Sequence, residues 1–181
     1  MLKMSDNPEI RSPLINSIAE ADGTWWVGHT RARAEKAFAQ DLLRKNIPYF
    51  LPMATRVRIS GGRKRTTLIP LFTSYVFFCG TSHDRVAAFD TGRICNAIEV
   101  TSRDEFLGQM SRIEMAYDGG VALDLHPWAV VGQQVRVTEG PMAGVVGRIS
   151  NRDDMTLLVL EISVLGQAAF VKIEPELLEP V

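Results

Sequence analysis

The stretch Pro70-Leu71-Phe72-Thr73-Ser74-Tyr75-Val76-Phe77-Phe78-Cys79 decides the fold of the first part of the chain. It is the most apolar segment there and is rich in aromatic and β-branched residues, so it predicts a strand from Tyr75 to Cys79. Side chains alternate along a strand, which puts Tyr75 and Phe77 on one face of the sheet. The pattern alone favours core positions for both.

The segments on either side of this strand complete an α+β pattern. A strand is predicted at Trp25–His29, and an apolar stripe predicts a helix from Arg31 to Asn46, ended by Pro48. Further elements are expected in the order hairpin, helix, strand and helix: residues 49–59 and 63–69 around Ser60-Gly61-Gly62, then 83–91, 94–100 and 101–117. The order predicts an N-terminal antiparallel sheet with helices against it.

The remainder of the chain has a different character. Residues 131–181 hold short β segments separated by Gly140-Pro141, Asp153-Asp154 and Gly166, which is typical of a small barrel. Residues 22–118 carry 14 Lys/Arg and 10 Asp/Glu, whereas 131–181 carry 4 and 7. We therefore predict a flexible leader (1–21), a first domain (22–118), a linker with no element of its own (119–130) and a second domain (131–181).

The composition narrows the classes of function. The chain has 181 residues, 46% hydrophobic and 23% charged, and no apolar run long enough to cross a bilayer. Cys79 and Cys95 lie in apolar segments, which favours reduced, buried thiols and a cytoplasmic protein. Three scattered histidines, no C-x-x-C and no phosphate loop predict no catalytic site, metal or cofactor, so we expect a monomeric binding protein that is not an enzyme.

Basic residues cluster near the tip of the predicted hairpin. Two interpretations stay open for this cluster: it lies along DNA phosphates, or it is a solvated hairpin end. The cluster consists of Arg56, Arg58, Arg63, Lys64 and Arg65.

Two segments carry a resemblance to a known family. Residues 135–149 resemble a KOW motif, a strand, a tight glycine-containing turn and a second strand; the residues that match are Val135, Val137, Gly140, Pro141, Gly144 and Gly147. Trp25-Trp26-Val27, Leu51-Pro52-Met53, the basic hairpin and the stretch 70–77 are similar to the N-terminal domain of NusG proteins. The order of the two segments resembles NusG transcription elongation factors, and within that family the RfaH-like antiterminator paralogues.

The resemblance implies a fold, a function and partners. It implies an SH3-like β-barrel KOW domain after the α+β domain, and an N-terminal domain that binds the clamp helices of RNA polymerase and modulates pausing and termination. The matching polymerase-binding positions are Trp26, His29, Tyr75 and Phe77. Upstream or non-template DNA is implied as a second contact, and the termination factor Rho or a small-subunit ribosomal protein as the partner of the KOW domain.

Two departures and one alternative accompany the resemblance. Thr73-Ser74 stands where the family usually has proline followed by glycine or asparagine, and His83-Asp84-Arg85 replaces the His-Thr-Thr triplet of the RfaH-like proteins. In those proteins the C-terminal segment also folds as a helical hairpin, which leaves a change of fold open here. The alternative is a KOW-containing ribosomal or RNA-binding protein, which the acidic second domain disfavours.

Overall fold

The computed structural model describes residues 7–60, 63–125, 132, 134–152 and 155–181. The predicted mixed α+β class is confirmed: helices and antiparallel sheets form the first part of the chain, and the C-terminal part is rich in β-strands. The chain divides into two compact units, residues 1–103 and 104–181. Among the described residues no helix has the length and apolar character that crossing a membrane requires. The predicted domain boundaries stay predictions.

The described part of the first unit contains a four-stranded sheet, a two-stranded hairpin, two α-helices and a short 3-10 helix (Ile18–Glu20). The four-stranded sheet has the order β2-β5-β1-β6, and β3 pairs with β4 alone. The elements are β1 (Thr24–Thr30), α1 (Glu35–Arg44), β2 (Tyr49–Phe50), β3 (Met53–Ser60), β4 (Arg63–Pro70), β5 (Tyr75–Gly80), α2 (Ser82–Phe89) and β6 (Ile94–Glu99).

One part of the core of this unit lies between the sheet and α1. Phe38 of α1 packs edge-on against Phe78 of β5, with 5.9 Å between the ring centroids. A Cβ on Gly28 would approach the Phe38 ring to 3.1 Å, so the absent side chain lets the helix lie close to the strand. A Thr81 capping box with Asp84 begins α2. These contacts form the helix-covered face of the sheet.

The predicted strand from residue 49 to 59 is two strands. β2 pairs with β5 in the four-stranded sheet, whereas β3 pairs with β4, and Leu51-Pro52 separates them. Proline lacks an amide N–H and restricts the residue before it, which explains why the ladder ends there. The single-strand prediction is wrong at this corner.

The segment predicted as a flexible leader is packed over residues 7–21. Its Ser12 N–H donates to Tyr49 O (2.9 Å), and the Leu51 N–H donates to Ile10 O (2.7 Å). Ile10 and Ile18 are buried. The segment therefore extends the sheet beside β2. Periodicity did not reveal it because isolated apolar residues, rather than a repeating stripe, anchor it.

The second unit contains helix α3 and a six-stranded antiparallel sheet. Phe106, Met110 and Ile113 are the buried positions that give α3 its apolar face. The sheet has the order β12-β8-β9-β10-β11-β7. The elements are α3 (Arg103–Asp118), β7 (Leu123–Leu125), β8 (Gln134–Val137), β9 (Val146–Arg152), β10 (Met155–Ile162), β11 (Gln167–Lys172) and β12 (Leu178–Pro180).

A tight turn joins β8 to β9 at the predicted KOW motif. Gly140 and Gly144 both have left-handed backbones, with φ of 83° and 85°, and Gly144 N–H donates to Val137 O (2.8 Å). A Cβ on Gly147 would come within 2.9 Å of Val159 O, so only glycine lets these strands approach. Val135 and Val137 are buried. The glycines thus allow the turn and the close approach of the strands, as the sequence predicted. The KOW assignment and the closure of the barrel stay predictions.

Strand β7 lies inside the predicted linker. Its register partners are in β11, with Leu123 opposite Val171 and Leu125 opposite Ala169. The prediction of a segment with no element of its own is therefore wrong at these three residues. A three-residue strand is too short for alternation to be recognised, and its pairing with β11 is set far along the chain.

We expect that replacing Tyr49 with phenylalanine reduces the loss in the free energy of unfolding that occurs as the pH rises above about 10. Tyr49 is fully buried, its hydroxyl has no hydrogen-bond partner among the described residues, and burial raises its pKa from 10.0 to about 12. The unfolded phenol ionises at lower pH, so the free energy of unfolding of the natural protein falls as the pH rises from about 10 towards 12. Tyr49→Phe removes that loss and, near neutral pH, is neutral or stabilising by about 1 kcal/mol.

Urea unfolding of both proteins near pH 7 and between about pH 10 and 11 measures this difference. Other groups titrate equally in both proteins, so the difference between them isolates the phenol. Parallel stability curves over this pH range would contradict a buried, unpaired hydroxyl.

Candidate functional site

His29 and Tyr75 form an aromatic pair at one end of the four-stranded sheet. Their Cα atoms are register partners on β1 and β5, and their rings stack with 5.1 Å between centroids and 27° between planes. Both side chains are half-buried, and Asn96 of the edge strand β6 is the next register position beside His29. A half-buried phenol ring and a half-buried imidazole ring offer a partner both apolar contact and hydrogen bonding. The structure therefore brings two of the four predicted polymerase-binding residues together.

Phe77 shares the face of Tyr75 but belongs to the core. Its side chain is 0% exposed, and its ring packs edge-on against Phe72 with 5.9 Å between centroids. Val27 of β1 and Phe50 of β2 are its register partners. The core interpretation of Phe77 is correct here, and an uncovered apolar surface that includes this ring is not what the structure has. Phe77 therefore lies two positions along β5 from Tyr75, within the core.

Trp26 lies on the opposite face of the sheet from His29. Its register partner is Phe78, whose ring meets α1, and the Arg85 guanidinium of α2 lies 5.1 Å from the Trp26 ring centroid. Only 7% of Trp26 is exposed. The structure therefore does not bring Trp26 together with His29 and Tyr75, because odd and even positions of β1 point to opposite faces. Arg85 stabilises the ring through a cation–π contact.

The turn before β5 fixes the position of the backbone at Tyr75, the first residue of the strand. Ser74 has φ of +66°, a left-handed conformation that glycine or asparagine adopts more readily. The Ser74 N–H donates to Glu35 Oε1 (2.7 Å), and the Tyr75 N–H donates to Phe72 O (3.1 Å). Ser74 therefore adopts a backbone conformation that a glycine would provide without strain.

Three exposed arginines that the sequence analysis did not single out lie in the loops next to β1 and β6. Arg31 and Arg33 follow β1, and Arg93 precedes β6. The Arg31 N–H donates to Arg93 O (2.8 Å), which brings the two loops together, and Arg93 Nε lies 3.0 Å from Asp41 Oδ2. No spacing in the sequence relates residue 31 to residue 93. Only the pairing of β1 with β6 makes them neighbours.

The basic hairpin exists as predicted in its backbone. Ser60 is the register partner of Arg63, and Arg58 of Arg65. Arg56 and Arg63 are exposed and share a face by register. The side chains of Arg58, Lys64 and Arg65 lie outside the described residues.

The base of the hairpin is bound to the rest of the first unit. Lys36 of α1 donates from Nζ to Leu68 O of β4 and also to Asn7 Oδ1. The Leu71 N–H donates to Pro52 O (2.8 Å), which closes the hairpin stem. The stem is therefore held while its distal end carries the charge.

The described residues contain no group of three or more His, Cys, Asp or Glu side chains arranged to hold a metal ion. Cys79 is buried and Cys95 exposed, both as free thiols. The expectation of two buried thiols is therefore correct for Cys79 and wrong for Cys95, which lies on the edge strand β6. Burial raises the pKa of the Cys79 thiol.

Comparison with known proteins places the resemblance in one part of the chain. No curated protein sequence matches this chain. Residues 23–102 match a family model, that of NusG, described as "Transcription termination factor nusG". The match begins just before β1 and ends after β6, so it contains the aromatic pair, the Ser74 turn and the basic hairpin. Through this segment the chain is similar to the NusG family of transcription factors.

Proposed function

We propose that this protein is a NusG-family transcription elongation factor that binds RNA polymerase through the His29–Tyr75 end of its first unit and has no catalytic activity. One observation carries the proposal: the family match at residues 23–102 spans the sheet that assembles this pair. The factor works in the cytoplasm as a monomer. Its effect on pausing and termination comes from binding one state of the polymerase more tightly than another.

The docking surface is the exposed part of the aromatic pair, with the buried Phe77 next to it on the same face of β5. The clamp helices of the polymerase are the proposed partner. Half-buried aromatic rings are suited to this role because they bury large area with little loss of rotamer freedom. Trp26, on the helix-covered face, supports the sheet and makes no contact with the polymerase in this proposal.

Replacing Tyr75 with alanine is expected to weaken binding to core RNA polymerase by roughly 10- to 100-fold, the range of an aromatic hot spot. His29→Ala, which removes the stacked ring, is expected to weaken it by a smaller factor. Fluorescence anisotropy of the labelled full-length protein, titrated with core polymerase at moderate salt, gives both dissociation constants.

Tyr117→Ala is the matched control, because Tyr117 is a 44% exposed tyrosine on α3, away from the pair in sequence. It should leave the affinity for polymerase unchanged. Thermal unfolding confirms that each variant is folded. If Tyr75→Ala folds and binds as tightly as the natural protein, the aromatic pair is not the docking surface.

The basic hairpin is proposed as a second contact, along upstream or non-template DNA. Support comes from the exposed Arg56 and Arg63 on one face and from the opposed Arg58 and Arg65 register positions. Each phosphate neutralised by an arginine releases counterions, so this contact weakens steeply with salt.

The C-terminal unit is proposed to be a KOW domain, over residues 131–181, that recruits Rho or a small-subunit ribosomal protein. The β8–β9 turn with its two left-handed glycines supports this assignment. The RfaH-like subfamily, with antitermination as its effect, is the finer proposal. The alternative, a KOW-containing ribosomal or RNA-binding protein, predicts co-purification with ribosomal subunits irrespective of transcription, whereas an elongation factor follows core polymerase.

A further inference from the structure

Glu35 is a buried carboxylate next to the proposed docking surface. It is 5% exposed and lies in the first turn of α1. A carboxylate at this place benefits from the helix dipole, and a buried charge is tolerated only when hydrogen bonds stabilise it. Glu35 Oε1 accepts the Ser74 N–H at 2.7 Å, a short, charge-assisted bond between residues 39 positions apart.

Ser74 needs such support. A non-glycine residue in the left-handed region is strained by roughly 1 kcal/mol, and such strain persists only where the surroundings hold the residue in place. Ser74 is held through both of its flanking peptide groups: its N–H donates to Glu35, and its carbonyl oxygen accepts the Thr30 N–H at 2.8 Å. The turn is therefore bonded to α1 and to β1 at once.

These two bonds act on the aromatic pair. Ser74 directly precedes Tyr75, and Thr30 directly follows His29. The register of β1 and β5 ends at the pair His29–Tyr75, and the pairing of β1 with β6 shifts between His29 and Thr30. Beyond the two rings the backbone is therefore held by the Glu35–Ser74–Thr30 connection as well as by the strand ladder.

We infer that Glu35 is a positioning residue that sets the stacked geometry of His29 and Tyr75 through Ser74. The effect of Glu35 on polymerase affinity rests on the proposed function, whereas its effect on the geometry of the His29–Tyr75 stack does not. Glu35 itself does not touch the partner. The sequence gives no hint of this role, because a glutamate in the first turn of a helix is an ordinary surface position.

The test uses the full-length protein with three variants, Glu35→Gln, Glu35→Ala and the double variant Glu35→Ala/Ser74→Gly. Glutamine keeps an acceptor oxygen at nearly the same place. Glycine adopts a φ of +66° without strain, so it relieves the turn of its need for Glu35. The direct readout is NMR: the ring-proton shifts of His29, displaced by the Tyr75 ring current, and the exchange rate of the Ser74 amide. Polymerase affinity is the second readout.

We expect Glu35→Ala to abolish the ring-current displacement, to speed exchange of the Ser74 amide at least 10-fold and to weaken polymerase binding about 10-fold. Glu35→Gln should retain the displacement, and the double variant should regain most of it. A merely structural role would instead lower the melting temperature of both alanine variants and leave no rescue by glycine.

Unchanged His29 ring shifts in folded Glu35→Ala would overturn the inference. If Glu35→Ala does not fold, Glu35→Gln provides the test. Removal of the charge should change the chemical shift and the exchange rate of the Ser74 amide, and an amide that does not respond would overturn the inference equally. Loss of the His29–Tyr75 stacking with unchanged polymerase affinity would support the positioning role and contradict the proposed docking surface.

Discussion

Replacing Phe77 with alanine is expected to lower the free energy of unfolding by roughly 3–5 kcal/mol, the range for removing a large aromatic side chain from a core. Phe77 is 0% exposed, packs edge-on against Phe72 and lies between Val27 and Phe50 in the sheet. Its removal leaves a cavity at the centre of the β2-β5-β1 ladder. Urea unfolding followed by tryptophan fluorescence measures the loss.

Ile98→Ala is the matched control for Phe77→Ala. Ile98 is the register partner of Val27 on the other side of β1 but is 42% exposed. Its truncation should lower the free energy of unfolding by less than about 1.5 kcal/mol, since much of the side chain already contacts water. Equal losses in the two variants would contradict the assignment of Phe77 to the core.

The burial of Phe77 also decides how docking is to be tested. A variant that removes Tyr75 and Phe77 together confounds loss of contact with loss of the fold. Tyr75 is half-buried at the start of β5, so its truncation alone leaves the Phe72–Phe77 packing in place. Polymerase binding is therefore best examined with Tyr75 and His29, and Phe77 is kept for the stability measurement.

The second large effect is expected from charge reversal in the hairpin. The double variant Arg56→Glu/Arg63→Glu should weaken binding to an upstream-fork DNA bound by polymerase by roughly 10- to 100-fold near 0.1 M salt. Two lost phosphate contacts should also reduce the magnitude of the slope of log affinity against log salt by about 2. Electrophoretic mobility shifts over a series of salt concentrations give both quantities.

Arg148→Glu/Lys172→Glu is the control, because it changes the net charge equally with exposed residues of β9 and β11. A purely general charge effect would weaken DNA binding as much as the hairpin variant does. Unchanged salt dependence in the hairpin variant would show that the hairpin end is only solvated, the other interpretation of this cluster.

The sequence predicted the elements with strong local signals. The aromatic strand at Tyr75, the helix before Pro48 and the hairpin at Ser60-Gly61-Gly62 follow from alternation, helical periodicity and turn chemistry, which depend only on neighbouring residues. The glycine-containing turn after Val137 is of the same kind. Boundaries shifted by a few residues: α1 begins at Glu35 rather than Arg31, because Arg33 has a left-handed backbone (φ 61°) that a helix excludes.

The features that were missed depend on partners distant in the chain. Strand β7 forms because it pairs with the edge of β11. Residues 7–21 pack because their backbone bonds to the edge of the first sheet beside β2. For the candidate site, alternation correctly placed Tyr75 with Phe77, but depth within the sheet is a tertiary property, so it could not separate a half-buried ring from a fully buried one. The Glu35–Ser74 bond is likewise invisible until helix and turn are brought together.

Trp26 shows what a resemblance leaves open. The resemblance carried over a cluster of positions, while the period of two along β1 separates residue 26 from residue 29. The register with Phe78 and the Arg85 contact show that Trp26 lies on the helix-covered face of the sheet. A family motif therefore identifies a strand better than it identifies the face from which the strand works.

Site-specific crosslinking tests most directly that the His29–Tyr75 end meets the polymerase. A photoreactive phenylalanine derivative replaces Tyr75 in one protein and Tyr117 in another, and each is irradiated with a transcribing polymerase complex. We predict that position 75 crosslinks to the clamp helices of the largest subunit and position 117 does not. Crosslinking at position 117 but not at 75, or none at either with polymerase bound, would contradict it.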